Sequence, residues 1–161
     1  MTEERYKQLM EWGRAHEGIR KCLCFLNKCL PIALAALYVL FLLGTVFIYP
    51  VYLLDLMLRP FLCFTFITIV RKIINRPRPY DVYHTAPMGS YTAGKNESFP
   101  SRHTGSAAII ALEIFRIAPE IGSICIFAAL IIGGLRVICG NHFIKDVVAA
   151  FIVSALFYLV F

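Results

Sequence analysis

Acidic side chains are scarce in this chain: ten Asp and Glu against sixteen Lys and Arg in 161 residues, a net charge of +6. They form no cluster, so nothing resembles the carboxylate-rich cage that holds Mg²⁺ or Ca²⁺. The six cysteines (Cys22, Cys24, Cys29, Cys63, Cys125 and Cys139) lie mostly in apolar runs and read as small buried hydrophobes, not as disulfide partners. Cys22 and Cys24 have no matching His/Cys pair downstream, which excludes ordinary zinc-ligand spacing. The chain also lacks internal repeats, low-complexity stretches and flexible linkers. No cleavable signal peptide is expected, because the first 21 residues are charged throughout. The cations do not form a basic face interleaved with aromatics, which argues against nucleic acid as a partner. They read instead as membrane-flanking charge that attracts anionic lipid.

Apolar sequence is what the chain has in quantity. Hydrophobic residues make up 59% and mean hydropathy is +0.71, above the roughly 45–50% of soluble domains. A bilayer span needs about 20 apolar residues. On that measure the spans are expected at Cys29–Tyr49, Leu56–Asn75, Arg102–Ala118, Ile121–Ile138 and His142 to the terminus. Residues 3–27 mix Tyr6, Leu9, Met10, Ile19, Leu23 and Leu26 with charged residues, the pattern of an amphipathic helix lying on the membrane surface. The expected architecture is an all-α membrane bundle of about five spans plus that surface helix, with residues 1–28 as the interfacial segment and 29–161 as a single catalytic unit. Asp55 with Arg59, and Glu113 with Arg116, are spaced to form structural ion pairs. The loop 76–100 carries Arg76, Asp81, His84 and Lys95, with Lys72 and Lys145 at span ends snorkelling to headgroups.

Three motifs carry chemistry. In the segment Leu135–Asp146, Arg136 is followed after five residues by His142 and after three more by Asp146. A carboxylate one helical turn from a His can fix its tautomer and orientation, and the Arg offers a planar fork to a phosphoryl oxygen. In Ser98–Ser106, Pro100 bars a preceding helix and Ser101 is placed to cap the next one. That leaves backbone N–H groups near Arg102, His103 and Thr104 for an anion. In Arg71–Pro79, Arg71 and Arg78 flank a helix end forced by Pro77 and Pro79. Hydropathy puts all three motifs on one side of the membrane. Together they suggest in-line attack by His142 on phosphorus, orientation of its ring by Asp146, charge stabilisation by Arg71, Arg78, Arg136 and Ser101, and proton delivery by His103. No metal or cofactor is required, because arginines supply the positive charge.

These blocks resemble the type 2 phosphatidic acid phosphatase (PAP2) superfamily, whose signature runs K-x6-R-P, P-S-G-H and S-R-x5-H-x3-D. The resemblance covers about two-thirds of the chain, from Pro60 onward. It implies a membrane lipid phosphatase acting through a phosphohistidine, with a polyprenyl diphosphate, phosphatidylglycerophosphate or phosphatidic acid type of substrate. A lipid phosphotransferase using the same His and a non-catalytic lipid-binding protein are the alternatives. Three positions depart from the signature: Arg71 stands for Lys, Arg102 for Gly and Leu135 for Ser. Arg102 adds a cation that can meet a second phosphate, a headgroup or solvent. The resemblance also implies a bacterial plasma membrane and an outward-facing site, and the reading leans that way. The Lys/Arg bias of the N-terminal segment points to the cytoplasm instead.

Overall fold

A computed structural model describes residues 1–48, 50–90 and 96–160, and the secondary structure within them is helical. Helix α1 (Glu3–Ala15) and α2 (Glu17–Ile48) are followed by a single 3₁₀ turn at Pro50–Tyr52 and by α3 (Leu53–Ile74). A one-turn helix α4 (Pro79–Val82) then leads by a loop to α5 (Arg102–Ile117), α6 (Pro119–Ile138) and α7 (Ile144–Val160). The ends follow the local chemistry. Thr2 caps α1, its hydroxyl accepting from the Arg5 N–H at 3.5 Å. Asn75 closes α3 in the left-handed conformation, φ 44°. Pro119 opens α6 at a position where a missing N–H costs nothing.

Among the described residues three segments are long and apolar enough to cross a bilayer: Glu17–Ile48, Pro50–Val82 and Pro119–Ile138. The protein is therefore an integral membrane protein. Helices α5 and α7, expected as the third and fifth spans, have 16 and 17 residues, or about 24–26 Å at 1.5 Å per residue. The helix expected over residues 3–27 breaks at His16, and the first span, expected to start at Cys29, belongs to a helix that starts twelve residues earlier, at Glu17. The last helix begins at Ile144, so His142 precedes it instead of opening it. Tyr49, the expected end of the first span, and Lys95 lie outside the described residues.

Helix α5 is the axis of the bundle, packed on α2, α3, α6 and α7. Its small residues Gly105, Ala107, Ala108 and Ala111 are buried, which lets neighbouring backbones approach closely. Gly122 of α6 touches the backbone of Phe115, where any Cβ would collide. Apolar side chains on the outer faces are exposed, Phe47 at 87% and Ile124 at 71% among them, as a lipid-facing surface requires.

Both expected ion pairs form, and they merge into one cluster at the end of the bundle away from the motifs. Arg59 lies 3.9 Å from Asp55 and 3.4 Å from Glu113, and Arg116 lies 3.5 Å from Asp55 and 3.0 Å from Glu113. At the motif end, α1 docks on the loops: Tyr6 and Met10 are buried against Tyr80 and Met88. The C-terminal ends of α3 and α6 and the N-terminal ends of α5 and α7 meet beneath it.

Candidate active site

His142 sits in the tight connection between α6 and α7. The N–H groups of Asn141 and His142 both donate to the Arg136 carbonyl, at 3.0 and 3.1 Å, so the turn folds His142 back over the helix end that carries Arg136. Gly140 makes this possible with φ 79°, a conformation other residues adopt at a cost. The Tyr6 hydroxyl donates to the Gly140 carbonyl at 3.2 Å.

Asp146, expected to fix the tautomer and orientation of His142, has its Oδ2 3.7 Å from Nδ1, beyond hydrogen-bond length. Nδ1 lies instead 2.8 Å from the Ser98 carbonyl. A carbonyl only accepts, so Nδ1 carries the proton and Nε2 keeps its lone pair. Ser98 also donates its hydroxyl to Asp146 Oδ2 at 2.5 Å. The same oxygen accepts from the Phe143 N–H at 3.0 Å, and Arg76 donates to Oδ1 at 3.1 Å. The carboxylate therefore acts on His142 through space and through Ser98. His142 is 2% exposed. Burial, with the charges of Arg78 and Arg71 adding to it, pulls its pKa down to about 4 against the pull of Asp146. The ring is neutral at physiological pH.

Ser101 occupies the N-cap of α5 but its hydroxyl does not cap. It pairs with the Thr104 hydroxyl at 2.9 Å, because a second hydroxyl at the third helical position competes for it. The N–H groups of the first turn, at Arg102, His103 and Thr104, have no partner within the helix. His103 lines a cleft of about 730 Å³ with Asn27, Lys28, Ser90, Arg136 and Asn141. An adjoining groove of about 320 Å³ shares Pro31, Ala35 and His103 with it and is otherwise lined mainly by apolar side chains.

Arg71, Arg78 and Arg136 converge here. The field of Arg78 reaches both Arg71 and Arg136, and His103 feels Arg136, Arg102, His142 and Arg71. Arg71 is anchored by donating to the Pro100 carbonyl at 2.9 Å, and Arg136 by donating to the Asn27 carbonyl at 3.2 Å. Each of the three keeps a buried Nε–H without a partner among the described residues. Buried guanidinium donors left unpaired are costly, and an anion bound in this site would offer them acceptors. Arg102 stands apart, its guanidinium 5.5 Å over the Phe64 ring beside the apolar groove. Leu135, where the resemblance has Ser, is buried. Among the described residues no three His, Cys, Asp or Glu side chains group as metal ligands would.

The structure brings His103, His142, Asp146, Arg71, Arg78 and Arg136 to one end of the bundle and leaves Arg102 beside the apolar groove. It adds Ser98 and Arg76, to which the motif spacing gives no role. Asp81 and His84 lie in and just after α4, with His84 exposed.

The family model described as the PAP2 superfamily matches residues 48–161. A non-specific acid phosphatase of Salmonella typhimurium is 33% identical over 88 residues, covering 53% of this chain and 35% of that protein, so the match spans about a third of the relative's length. The crystal structure of a transmembrane PAP2 type phosphatidylglycerolphosphate phosphatase from Bacillus subtilis superposes with a TM-score of 0.62. It covers 97% of this chain and 82% of that one at 22% identity, and shows a shared fold.

Proposed function

The chain belongs to the PAP2 superfamily, and from that premise we propose that it is a membrane-embedded phosphatase that hydrolyses the phosphate monoester or diphosphate of a lipid. The observation that carries this reading is the set of three unpartnered, buried Nε–H groups of Arg71, Arg78 and Arg136, gathered about a His142 whose Nε2 lone pair is free. His142 Nε2 attacks phosphorus in line, and the bond to the leaving oxygen breaks as His103, which takes up a proton beside the negative charge of the bound phosphate, delivers that proton to it. The arginines and the first-turn N–H groups of α5, beside Ser101, stabilise the equatorial oxygens. Water then attacks the phosphohistidine, giving its proton to His103 and releasing inorganic phosphate. Asp146, held by Ser98 and Arg76, stabilises the positive charge that grows on His142. The charge needed at phosphorus comes from arginine without a metal ion.

An amphiphile suits the cleft. The polar side, with Asn27, Lys28 and Arg136, fits a headgroup, and the apolar groove along Pro31, Leu34 and Phe64 fits a chain. Substrates of the polyprenyl diphosphate, phosphatidylglycerophosphate and phosphatidic acid types all have this form. Within this reading residues 29–161 are the catalytic unit, residues 1–28 are an interfacial segment, and the membrane is the bacterial plasma membrane with the site facing outward.

The test is inorganic phosphate release by purified protein in detergent with excess EDTA, on those three lipids, with His142→Ala alongside. Release that survives chelation and falls at least 10²–10⁴-fold in the variant supports the mechanism. Equal release from wild type and variant removes His142 as nucleophile, and turnover that needs a second lipid as acceptor makes the protein a transferase.

A further inference from the structure

A second cleft, of about 840 Å³, shares no lining residue with the catalytic one. Its cationic side chains are Arg76 and Lys145, and none of its lining residues is acidic. Both cations lie over one aromatic ring: the Arg76 guanidinium is 4.6 Å and the Lys145 ammonium 5.9 Å from the centre of Phe143. Arg76 has one carboxylate partner, Asp146 at 3.1 Å, and its side chain is still 24% exposed. Among the described residues these two cations around one ring have a single carboxylate partner, the buried Asp146 on Arg76.

The remainder of the cleft is apolar, with Val82, Ile144 and Val148 among its walls. On α7 the apolar wall continues out of the cleft at four-residue intervals: Ile144, Val148, Ile152 and Leu156 are 52%, 48%, 55% and 53% exposed. Four-residue spacing keeps these side chains on one face. Paired cations at the membrane boundary above an unbroken apolar strip match the shape and charge of one kind of molecule, a phosphate head over a hydrocarbon chain.

We propose that this cleft is a second lipid site, separate from the catalytic one. It takes the phosphodiester headgroup of an anionic bilayer phospholipid between Arg76 and Lys145, with an acyl chain along the Ile144–Leu156 face of α7. The occupant is a resident lipid and not a substrate, since this cleft shares no lining residue with the one that His103 lines. Its head abuts the guanidinium that steadies Asp146.

Native mass spectrometry of the delipidated full-length protein, titrated with phosphatidylglycerol or phosphatidylcholine, tests this without reference to turnover. One phosphatidylglycerol is expected to bind in preference to phosphatidylcholine. At about 1 kcal/mol per cation near an anionic headgroup, Lys145→Ala should weaken that binding about fivefold and Lys145→Glu roughly thirtyfold. His142→Ala and Lys72→Glu, the latter an exposed cation on α3 outside the cleft, should bind as wild type does. Equal binding of the two lipids, or equal loss in Lys72→Glu and Lys145→Glu, would overturn the site by reducing it to general surface charge. Loss in Arg136→Ala with none in Lys145→Glu would move the lipid to the catalytic cleft. The phosphatase reading fails on different data, the absence of phosphate release.

Discussion

At the scale of single residues, the state of His142 sets the expected pH behaviour. Its pKa is lowered to about 4 by burial, against an ordinary value near 6.5. The proposed nucleophile is then uncharged over the whole physiological range, and the acid limb of kcat/KM contributed by this group should fall near pH 4 and not near 6.5. The same shift enters stability. Between those two values the unfolded chain binds the proton and the folded chain does not, so stability is complete above about 6.5 and is lost as pH falls toward 4. Melting in detergent should show that loss, up to about 3 kcal/mol for so buried a ring, and His142→Ala should shrink it. Ser98 gives a second test. Ser98→Ala removes the 2.5 Å bond to Asp146 but leaves the carbonyl that holds His142. A hydrogen bond to a charged group is worth about 1.5–3 kcal/mol, so kcat should drop roughly 10–150-fold at nearly constant KM; an unchanged kcat would separate Asp146 from catalysis. The arginines and histidines of this site were legible in the sequence because charge and imidazole stand out against apolar spans and recur at motif spacing. Ser98 and Arg76 were not. Their roles arise where the Ser98 N–H meets the Arg76 carbonyl at 2.9 Å and both side chains turn onto Asp146, a closure in space that spacing does not reveal.

At the scale of elements, most helix ends could be read directly, since Pro77, Pro100 and Pro119 bar continuation and Gly140-Asn141 supplies a turn. Helix α1 could be read only in part. Its mixture of apolar and charged residues suggested a surface helix, and sequence gave no sign of what its apolar face covers. Tyr6 is fully buried, and its hydroxyl donates to the carbonyls of Thr85 and Gly140 at 3.3 and 3.2 Å. Arg14 donates to the Ala86 carbonyl at 3.3 Å, and Arg20, in the first turn of α2, donates to the Met88 carbonyl at 3.2 Å. The helix thus holds the two loops that frame the cleft. Tyr6→Phe keeps the packed ring and deletes only the one O–H that the two carbonyls share, at about 1 kcal/mol. Melting should fall accordingly, and phosphate release should slow several-fold through the turn that carries His142. A variant with normal melting and normal turnover would show that α1 packs on the loops without steadying them.

At the scale of the whole molecule, charge is placed at both ends of the bundle and excluded from its middle. The cluster of Asp55, Arg59, Glu113 and Arg116 binds α3 to α5 at the end opposite the site. Glu113 has no exposed surface, and removing one member of a buried ionic group strands the others at a cost of about 3–5 kcal/mol. Glu113→Ala should therefore lower melting sharply, while the fraction that stays folded keeps its kcat; a variant that melts like wild type would mean that water or lipid already screens the cluster. The two ends also bear on how the chain enters a membrane. Helix α5 is short and starts with Arg102 and His103, and Glu113 and Arg116 mark its other end. Ionised side chains make such a helix a poor substrate for the insertion machinery, while α6 behind it is strongly apolar and touches it closely at Gly122. The lone helix is expected to fail in a translocon insertion assay, and the Arg102–Ile138 hairpin to insert as one object; efficient entry of α5 alone would contradict this. The residues that do chemistry then reach the membrane as passengers of α6, so during synthesis the site forms only after a more hydrophobic successor has carried its central helix in.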